Sequence, residues 1–135
     1  ILNIMKVFIL FIFLTISNFS FSQEVTNLKD IQPAKEFENI LVKKLDTDSN
    51  STAFVIWIKK VVKSHKHETH SEIISIIEGE GVMTINNKSF DIKSGDYFRI
   101  PKNTFHSLTV KSEEPMKVLS VQSPEFLGKD RVFEN

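Results

Sequence analysis

Three of the chain's four histidines lie close together, at His65, His67 and His70. Side chains alternate along a β-strand, so His65 and His67 would point to the same face of one strand. Two neighbouring imidazoles on one face can bind a single metal ion. The spacing therefore predicts part of a metal site in this segment.

Further ligands would have to come from other parts of the chain. Glu72 lies five residues beyond His67 and would face the opposite side of an uninterrupted strand. A bend through the polar residues 68–71 would correct its orientation. The fourth histidine, His106, follows a turn rich in Gly, Pro and Asn.

Three other side chains are candidate catalytic residues. His70 is expected in an exposed loop near the mouth of the site, where it is either a plain surface residue or a proton shuttle. Tyr97 and Arg99 share one face of a predicted strand. They either contact an anionic or hydroxylated ligand or lie on the outer face of the sheet.

The elements that must position these residues are predicted to be short β-strands. β-Branched and aromatic runs alternate with turn signals such as Asn86-Asn87, which tolerates positive φ and suits a tight hairpin. Strands at a spacing of roughly 8–12 residues are typical of an all-β sandwich or barrel. Only residues 34–42 carry a weak helical pattern. The predicted strands are 53–58, 73–77, 81–85, 88–92, 97–100, 104–111 and 116–122, and Trp57, Met83 and Phe90 are predicted core residues.

The first 22 residues have the pattern of a secretory signal peptide. Lys6 precedes an apolar run over residues 7–16, and small residues follow up to Ser22. The pattern predicts cleavage after Ser22, with residues 1–4 upstream of the true start. The run is shorter than the roughly 20 residues that a spanning helix needs, so no stable membrane insertion is expected after cleavage. The expected location is the bacterial periplasm or the medium.

Composition limits the partners and the means of stabilisation. The chain carries 17 basic and 17 acidic residues and has no basic block, which argues against nucleic acid and anionic membranes as partners. It has no cysteine, so the fold must be stable without disulfides. The length after the predicted cleavage site suits one domain.

Two segments together resemble the motifs of the cupin family. His65-x-His67-x₄-Glu72-x₆-Gly79 is similar to the first motif. Gly95-x₅-Pro101-x-Asn103-x₂-His106 is similar to the second. The resemblance covers about residues 53–125, most of the chain after the predicted signal peptide.

The chain departs from the cupin motifs at three positions that are not ligands. Lys59 stands where the first motif usually opens with glycine, and Val110 replaces the usual closing asparagine of the second. Asn103 stands at a frequent glycine position. Asparagine adopts left-handed backbone geometry readily, so Asn103 is expected to form the same turn as the usual glycine.

The resemblance implies a fold and a ligand set. The fold would be a small double-sheet β-barrel of the jelly-roll type, formed by a cupin domain over residues 41–128. An extension over residues 23–40 and a tail over residues 129–135 would flank it. The ligands of one divalent transition metal (Fe, Mn, Ni, Cu, Co or Zn) would be His65, His67, Glu72 and His106.

Two functional classes follow from the resemblance. One is a metal-dependent enzyme, similar to cupin dioxygenases, isomerases or decarboxylases, that acts on a small organic molecule. The other is a non-catalytic cupin that binds a sugar or another small ligand through its metal. Small cupins commonly form homodimers, for which residues 53–58 would offer an apolar strand edge.

Overall fold

The computed structural model describes residues 24–134 of the chain. The predicted signal peptide, residues 1–22, lies outside the described residues. The described part contains ten β-strands and no helix. The strands are β1 (Ile40–Thr47), β2 (Thr52–Ile58), β3 (Val61–His67), β4 (Ser71–Glu78), β5 (Glu80–Ile85), β6 (Lys88–Lys93), β7 (Tyr97–Ile100), β8 (His106–Val110), β9 (Met116–Ser123) and β10 (Arg131–Phe133).

The strands form two antiparallel sheets of five strands each. The first has the order β1-β2-β9-β4-β7 and the second the order β10-β3-β8-β5-β6. The chain passes from one sheet to the other between β2 and β3 and again between β3 and β4. Segments that are distant in sequence therefore meet between the sheets. The predicted all-β, double-sheet fold is confirmed.

The main core lies between the two sheets. Its inward side chains alternate along each strand, as the period of a half-buried strand requires. Ile74 and Ile76 of β4, for example, meet Met83 of β5 and Leu108 of β8. The buried members of this cluster are Ile58, Ile74, Ile76, Met83, Ile92, Ile100, Leu108, Met116 and Val118.

A second, smaller core lies on the outer face of the first sheet. Val55 and Trp57 of β2 point outward there and are covered by Ile31 of the N-terminal segment. The buried Lys117 donates from Nζ to the Lys29 carbonyl oxygen over 3.0 Å and ties the same segment to β9. Residues 24–39 thus close one outer face of the barrel.

Two tight turns have the backbone geometry that their residues indicate. Asn86 and Asn87, between β5 and β6, have φ values of 47° and 65°, as the hairpin prediction requires. Gly79, between β4 and β5, has a φ of 86°, and a Cβ on it would lie 2.9 Å from Cα of Met116. Only glycine fits that position without distortion.

Four details differ from the sequence-based expectations. The helical pattern predicted over residues 34–42 is wrong: residues 34–39 are irregular, with Phe37 packed on the second core, and residues 40–42 belong to β1. Residues 53–58 are not an edge, since β2 lies between β1 and β9. Phe90 is 49% exposed on the edge strand β6. Within the predicted tail, residues 131–133 form β10.

A helix long and apolar enough to span a membrane does not occur among residues 24–134.

Candidate metal centre

Two neighbouring strands of the second sheet position the three histidines that meet between the sheets. His65 and His67 are the inward residues at the end of β3, and His106 begins β8 directly opposite His65. All three side chains are at most 4% exposed. Their ring nitrogens offer one ligand atom each within 4.8 Å of one another. The structure therefore brings these predicted ligands together.

Glu72 reaches the same point from the facing sheet. The chain bends over residues 68–70 between β3 and β4, so Glu72 faces inward, as the bend prediction requires. Its Oε2 lies 3.7 Å from Nε2 of His67 and 3.5 Å from Nε2 of His106. The Glu72 carboxylate thus lies beside two of the three clustered imidazoles.

The corner before β8 is attached to the end of β3. Asn103 has a φ of 57°, the left-handed geometry expected at this glycine-like position. Its backbone N–H donates to the carbonyl oxygen of His67 over 2.7 Å. This bond fixes the approach to His106 relative to His67.

Backbone acceptors orient two of the imidazoles. Nδ1 of His65 lies 2.8 Å from the Lys63 carbonyl oxygen, and Nδ1 of His106 lies 2.9 Å from the Thr104 carbonyl oxygen. A carbonyl oxygen can only accept, so Nδ1 carries the proton in both rings. The lone pair of Nε2 is then free for a metal, which is the arrangement usual for histidine ligands.

His67 provides the strongest indication that a cation belongs here. Both of its ring nitrogens are buried, and neither has a hydrogen-bond partner within the described part of the chain. A buried polar group without a partner is destabilising by roughly 1–3 kcal/mol. A metal held by Nε2 would remove this deficit at that atom, so the donors present fit a transition metal.

Polar residues of β9 hold the Glu72 carboxylate in place. Ser120 donates to Oε1 of Glu72 over 2.5 Å, and Gln122 donates to the same atom over 3.4 Å. Burial raises the pKa of Glu72, but His106, Ser120 and His67 together lower it below its usual range. Glu72 is thus available as an anionic ligand, with Oε2 directed at the imidazoles.

Burial favours the neutral form of His65 and His67. Burial lowers the pKa of His65 to about 4, against the raising effect of the Lys63 carbonyl. Burial also lowers the pKa of His67, although the Glu72 carboxylate acts in the opposite direction. Neutral imidazole is the form that binds metals. The lowered pKa of each ring therefore favours the form that can bind a cation.

His70 is buried, so its expected exposure in a loop is wrong. Its side chain is 5% exposed because Nδ1 is hydrogen-bonded to the carboxylate of Asp130 and Nε2 lies 2.7 Å from the Glu125 carbonyl oxygen. Asp130 also accepts the backbone N–H groups of residues 68–70. The pair therefore supports the bend between β3 and β4.

Tyr97 and Arg99 are not brought to the metal ligands. They alternate along β7 with Phe98 and Ile100, whose side chains line the cavity between the sheets. Tyr97 is 64% exposed, and Arg99 is exposed beside it. Both lie on the outer face of the sheet, which is the second of the two placements predicted for them.

A cavity of about 100 Å³ adjoins the metal ligands. Most of its wall is aliphatic, with Ile56, Val62 and Leu108 as examples. Its polar and charged lining residues are His65, His67, Glu72, His106, Ser107, Gln122 and Arg131. The polar groups are thus concentrated around the four ligands in an otherwise apolar pocket.

Sequence reasoning missed several supporting residues. Ser120 and Gln122 occupy inward positions of β9 that continue the apolar series from Met116 and Val118. Two polar residues at the end of an apolar face were a usable signal for a nearby polar site. Arg131 and Asp130 offered no comparable signal, because β10 is only three residues long.

Comparison with known families identifies the same region of the chain. A model described as the cupin domain matches residues 54–122. An uncharacterised protein of Methanocaldococcus jannaschii is 39% identical over 66 residues, which are 49% of this chain and 53% of that protein. The matched region thus spans about half of that relative.

Solved structures show the same fold at low sequence identity. A Klebsiella pneumoniae protein with a double-stranded β-helix domain superposes with a TM-score of 0.70 at 16% identity, covering 84% of this chain and 99% of that one. Pac13 from Streptomyces, a nucleoside dehydratase, superposes with a TM-score of 0.58 at 15% identity, covering 70% and 85%.

Proposed function

The chain belongs to the cupin family, and we propose that its barrel binds one divalent transition metal through His65, His67, Glu72 and His106 and acts on a small organic molecule. The observation that carries the proposal is the pair of buried nitrogens on His67 that have no hydrogen-bond partner among residues 24–134. Their position beside two oriented imidazoles and a fixed carboxylate is what a metal site requires.

The donor set limits the metal to Fe, Mn, Co, Ni, Cu or Zn. Imidazole and carboxylate are intermediate in softness, and the described site contains no thiolate. Four protein ligands on a six-coordinate metal leave two positions for a substrate and a small co-ligand. Such a metal would supply Lewis-acid polarisation or redox chemistry, according to its identity.

The cavity indicates the size and character of the substrate. At about 100 Å³ it accommodates a compact molecule or one end of a longer one. The aliphatic wall favours an apolar body, and the polar groups favour a polar end directed at His67 and Glu72. We propose a metal-dependent enzyme for such a molecule, in the manner of cupin oxygenases, isomerases or decarboxylases.

One observation favours a non-catalytic binding protein as the second candidate. Of the described residues that line the cavity, only the four proposed ligands and Arg131 are ionisable. A reaction that requires a separate general acid or base has no side chain for that role in the cavity. Chemistry at this site would have to depend on the metal, and a pure binding role needs no further group.

The experiment that tests metal binding compares two histidine substitutions. His106→Gln removes a proposed ligand, whereas His70→Gln removes a buried histidine that is bonded to Asp130 and Glu125. The full chain and both variants are purified without added metal, analysed for metal content and titrated with Mn(II), Ni(II) and Zn(II). We expect one equivalent of metal in the wild type and a large loss of affinity in His106→Gln. The loss in His70→Gln should be much smaller, because His70 is not a proposed ligand and acts on the site only through the bend that it supports with Asp130.

Wild-type metal affinity in His106→Gln, or no metal bound by the wild type even after titration, would refute the proposed site. The metal-loaded protein is then screened for turnover with catechols, flavonols, thiols and keto acids. Turnover that disappears in His106→Gln supports the enzyme. Tight binding of a screened compound without turnover supports the binding protein.

A further inference from the structure

The short C-terminal strand β10 places a positive charge at the metal centre. Arg131 is directly opposite His67 in the antiparallel pair of β10 and β3. Residues directly opposite each other on antiparallel strands project from the same face of the sheet. Because His67 points into the barrel, Arg131 projects to the same side, and its side chain lines the cavity.

The Arg131 guanidinium has no carboxylate partner in the described chain. Within residues 24–134, the Arg131 side chain forms no ion pair and no hydrogen bond. The neighbouring Asp130 carboxylate is engaged by His70 and by the bend at residues 68–70. Five N–H donors in a planar fork are thus available at the rim of the cavity.

This placement is unfavourable for a metal site considered alone. Glu72 supplies one negative charge, while a divalent cation and Arg131 supply three positive charges. Like charges repel, and because Arg131 is exposed, water weakens this repulsion without removing it. An arginine facing the metal therefore weakens metal binding unless a further negative charge arrives with a ligand.

We propose that Arg131 selects a ligand with an anionic group, most simply a carboxylate, that lies between the guanidinium and the metal. The inference rests on the proposed metal site and adds the substrate class. The apolar body of such a ligand would occupy the aliphatic part of the cavity.

The test uses two probes of nearly equal shape and different charge. Isobutyrate carries a carboxylate, and isobutyramide is its neutral counterpart. The full chain is loaded with Co(II), and binding of each probe is followed by the visible absorption of the metal and by calorimetry. The variants are Arg131→Gln, which removes the charge, and Arg131→Lys, which keeps the charge without the fork. Lys129→Gln removes an exposed charge outside the cavity lining and is the control.

The Arg131→Gln substitution should weaken isobutyrate binding without weakening Co(II) binding. In Arg131→Gln, affinity for isobutyrate falls about tenfold because a charge-assisted contact is lost. Affinity for isobutyramide stays unchanged, and affinity for Co(II) is equal or higher because a like charge is gone. Arg131→Lys lies between the wild type and Arg131→Gln, and Lys129→Gln behaves as the wild type.

Two results would overturn the inference while leaving the metal site intact. One is a wild type that binds Co(II) but does not prefer isobutyrate over isobutyramide. The other is an Arg131→Gln variant with the preference of the wild type, which would make Arg131 a solvated surface charge. A wild type that binds no Co(II) would refute the proposed function, and the inference with it.

Discussion

The histidines of this site have ring nitrogens that are left without a hydrogen-bond partner within residues 24–134. His65 and His106 use Nδ1 for backbone carbonyls, which leaves Nε2 free. His67 has no hydrogen-bond partner in the described region at either nitrogen. A structure selected for stability alone would satisfy these groups, as most buried polar groups are satisfied. The deficit therefore points to a ligand.

The depressed pKa of His65 leads to a prediction for the metal-free protein. The folded-state pKa is about 4, compared with an ordinary value of 6.5. Between these values the unfolded chain binds a proton that the folded chain does not, so stability falls as the pH falls. The loss is on the order of 3 kcal/mol across that window. Denaturant unfolding with a chelator present, at neutral pH and near pH 4, measures it.

The variant His65→Gln isolates this contribution, because glutamine does not titrate and the other ionisable groups cancel in the difference. The free energy of unfolding of the wild type should fall relative to that of His65→Gln on acidification. Parallel pH profiles for the two proteins would show that the His65 pKa is not depressed in the folded state.

Asp130 is predicted to be a positioning residue for His67. It accepts three backbone N–H groups of the bend that follows His67, and its Oδ2 lies 3.9 Å from Nδ1 of His67. Asp130→Asn should lower the free energy of unfolding by about 1–3 kcal/mol. Metal affinity should fall by roughly 10- to 100-fold, as for other outer-shell carboxylates. Chelator competition and denaturant unfolding provide the two readouts.

Asp48→Asn is the matched control for this change. Asp48 also accepts two backbone N–H groups of a turn, from Asn50 and Ser51, and its hydrogen bonds involve none of the proposed ligands. Its substitution should leave metal affinity unchanged. An Asp130→Asn protein with wild-type metal affinity would contradict the positioning role and leave Asp130 a purely structural cap.

Whole elements were predictable to different degrees for physical reasons. The strands around residues 53–58, 73–77 and 81–85 have strong β-forming residues and clear turns, and the structure contains them. The bend before Glu72 was predictable, because on an uninterrupted strand Glu72 would face the side opposite to His67. β10 could not be predicted, because three residues have no measurable period and owe their strand geometry to pairing with β3. Arg131 was missed for the same reason.

The turn between β4 and β5 is predicted to tolerate only glycine. Gly79→Ala and Gly95→Ala both force alanine into positive φ, at 86° and 96° respectively, which is unfavourable by roughly 1–2 kcal/mol. At Gly95 the new Cβ meets nothing within 4 Å, whereas at Gly79 it would lie 2.9 Å from Cα of Met116. Gly79→Ala should therefore be the more destabilising by a further 1 kcal/mol or more, about the cost of overpacking.

Urea unfolding of both variants measures the difference, since the backbone contribution is nearly the same in each. Equal losses of stability would mean that the turn and β9 move apart without cost and that the contact with Met116 does not constrain the turn.

The molecule as a whole is a barrel with one outer face closed by its N-terminal segment. Ile31 is 8% exposed and packs with Val55 and Trp57, and the carbonyl oxygen of Lys29 accepts from the buried Lys117. The contacts of this segment begin a few residues after Ser22. Cleavage at the predicted site would therefore leave intact every contact of the segment within the described structure.

Export with cleavage after Ser22 is the corresponding prediction for the full chain. Expressed in a Gram-negative bacterium, the protein should appear in the periplasmic fraction with a mass that begins at Gln23, because Lys6 and a short apolar run fit a cleaved signal. Leu10→Arg places a charge within the apolar run and should leave the precursor uncleaved in the cytoplasm. Full-length protein in the membrane fraction would indicate an uncleaved anchor instead. In that case the barrel would work at a membrane surface, and the small molecules available there would limit its ligands.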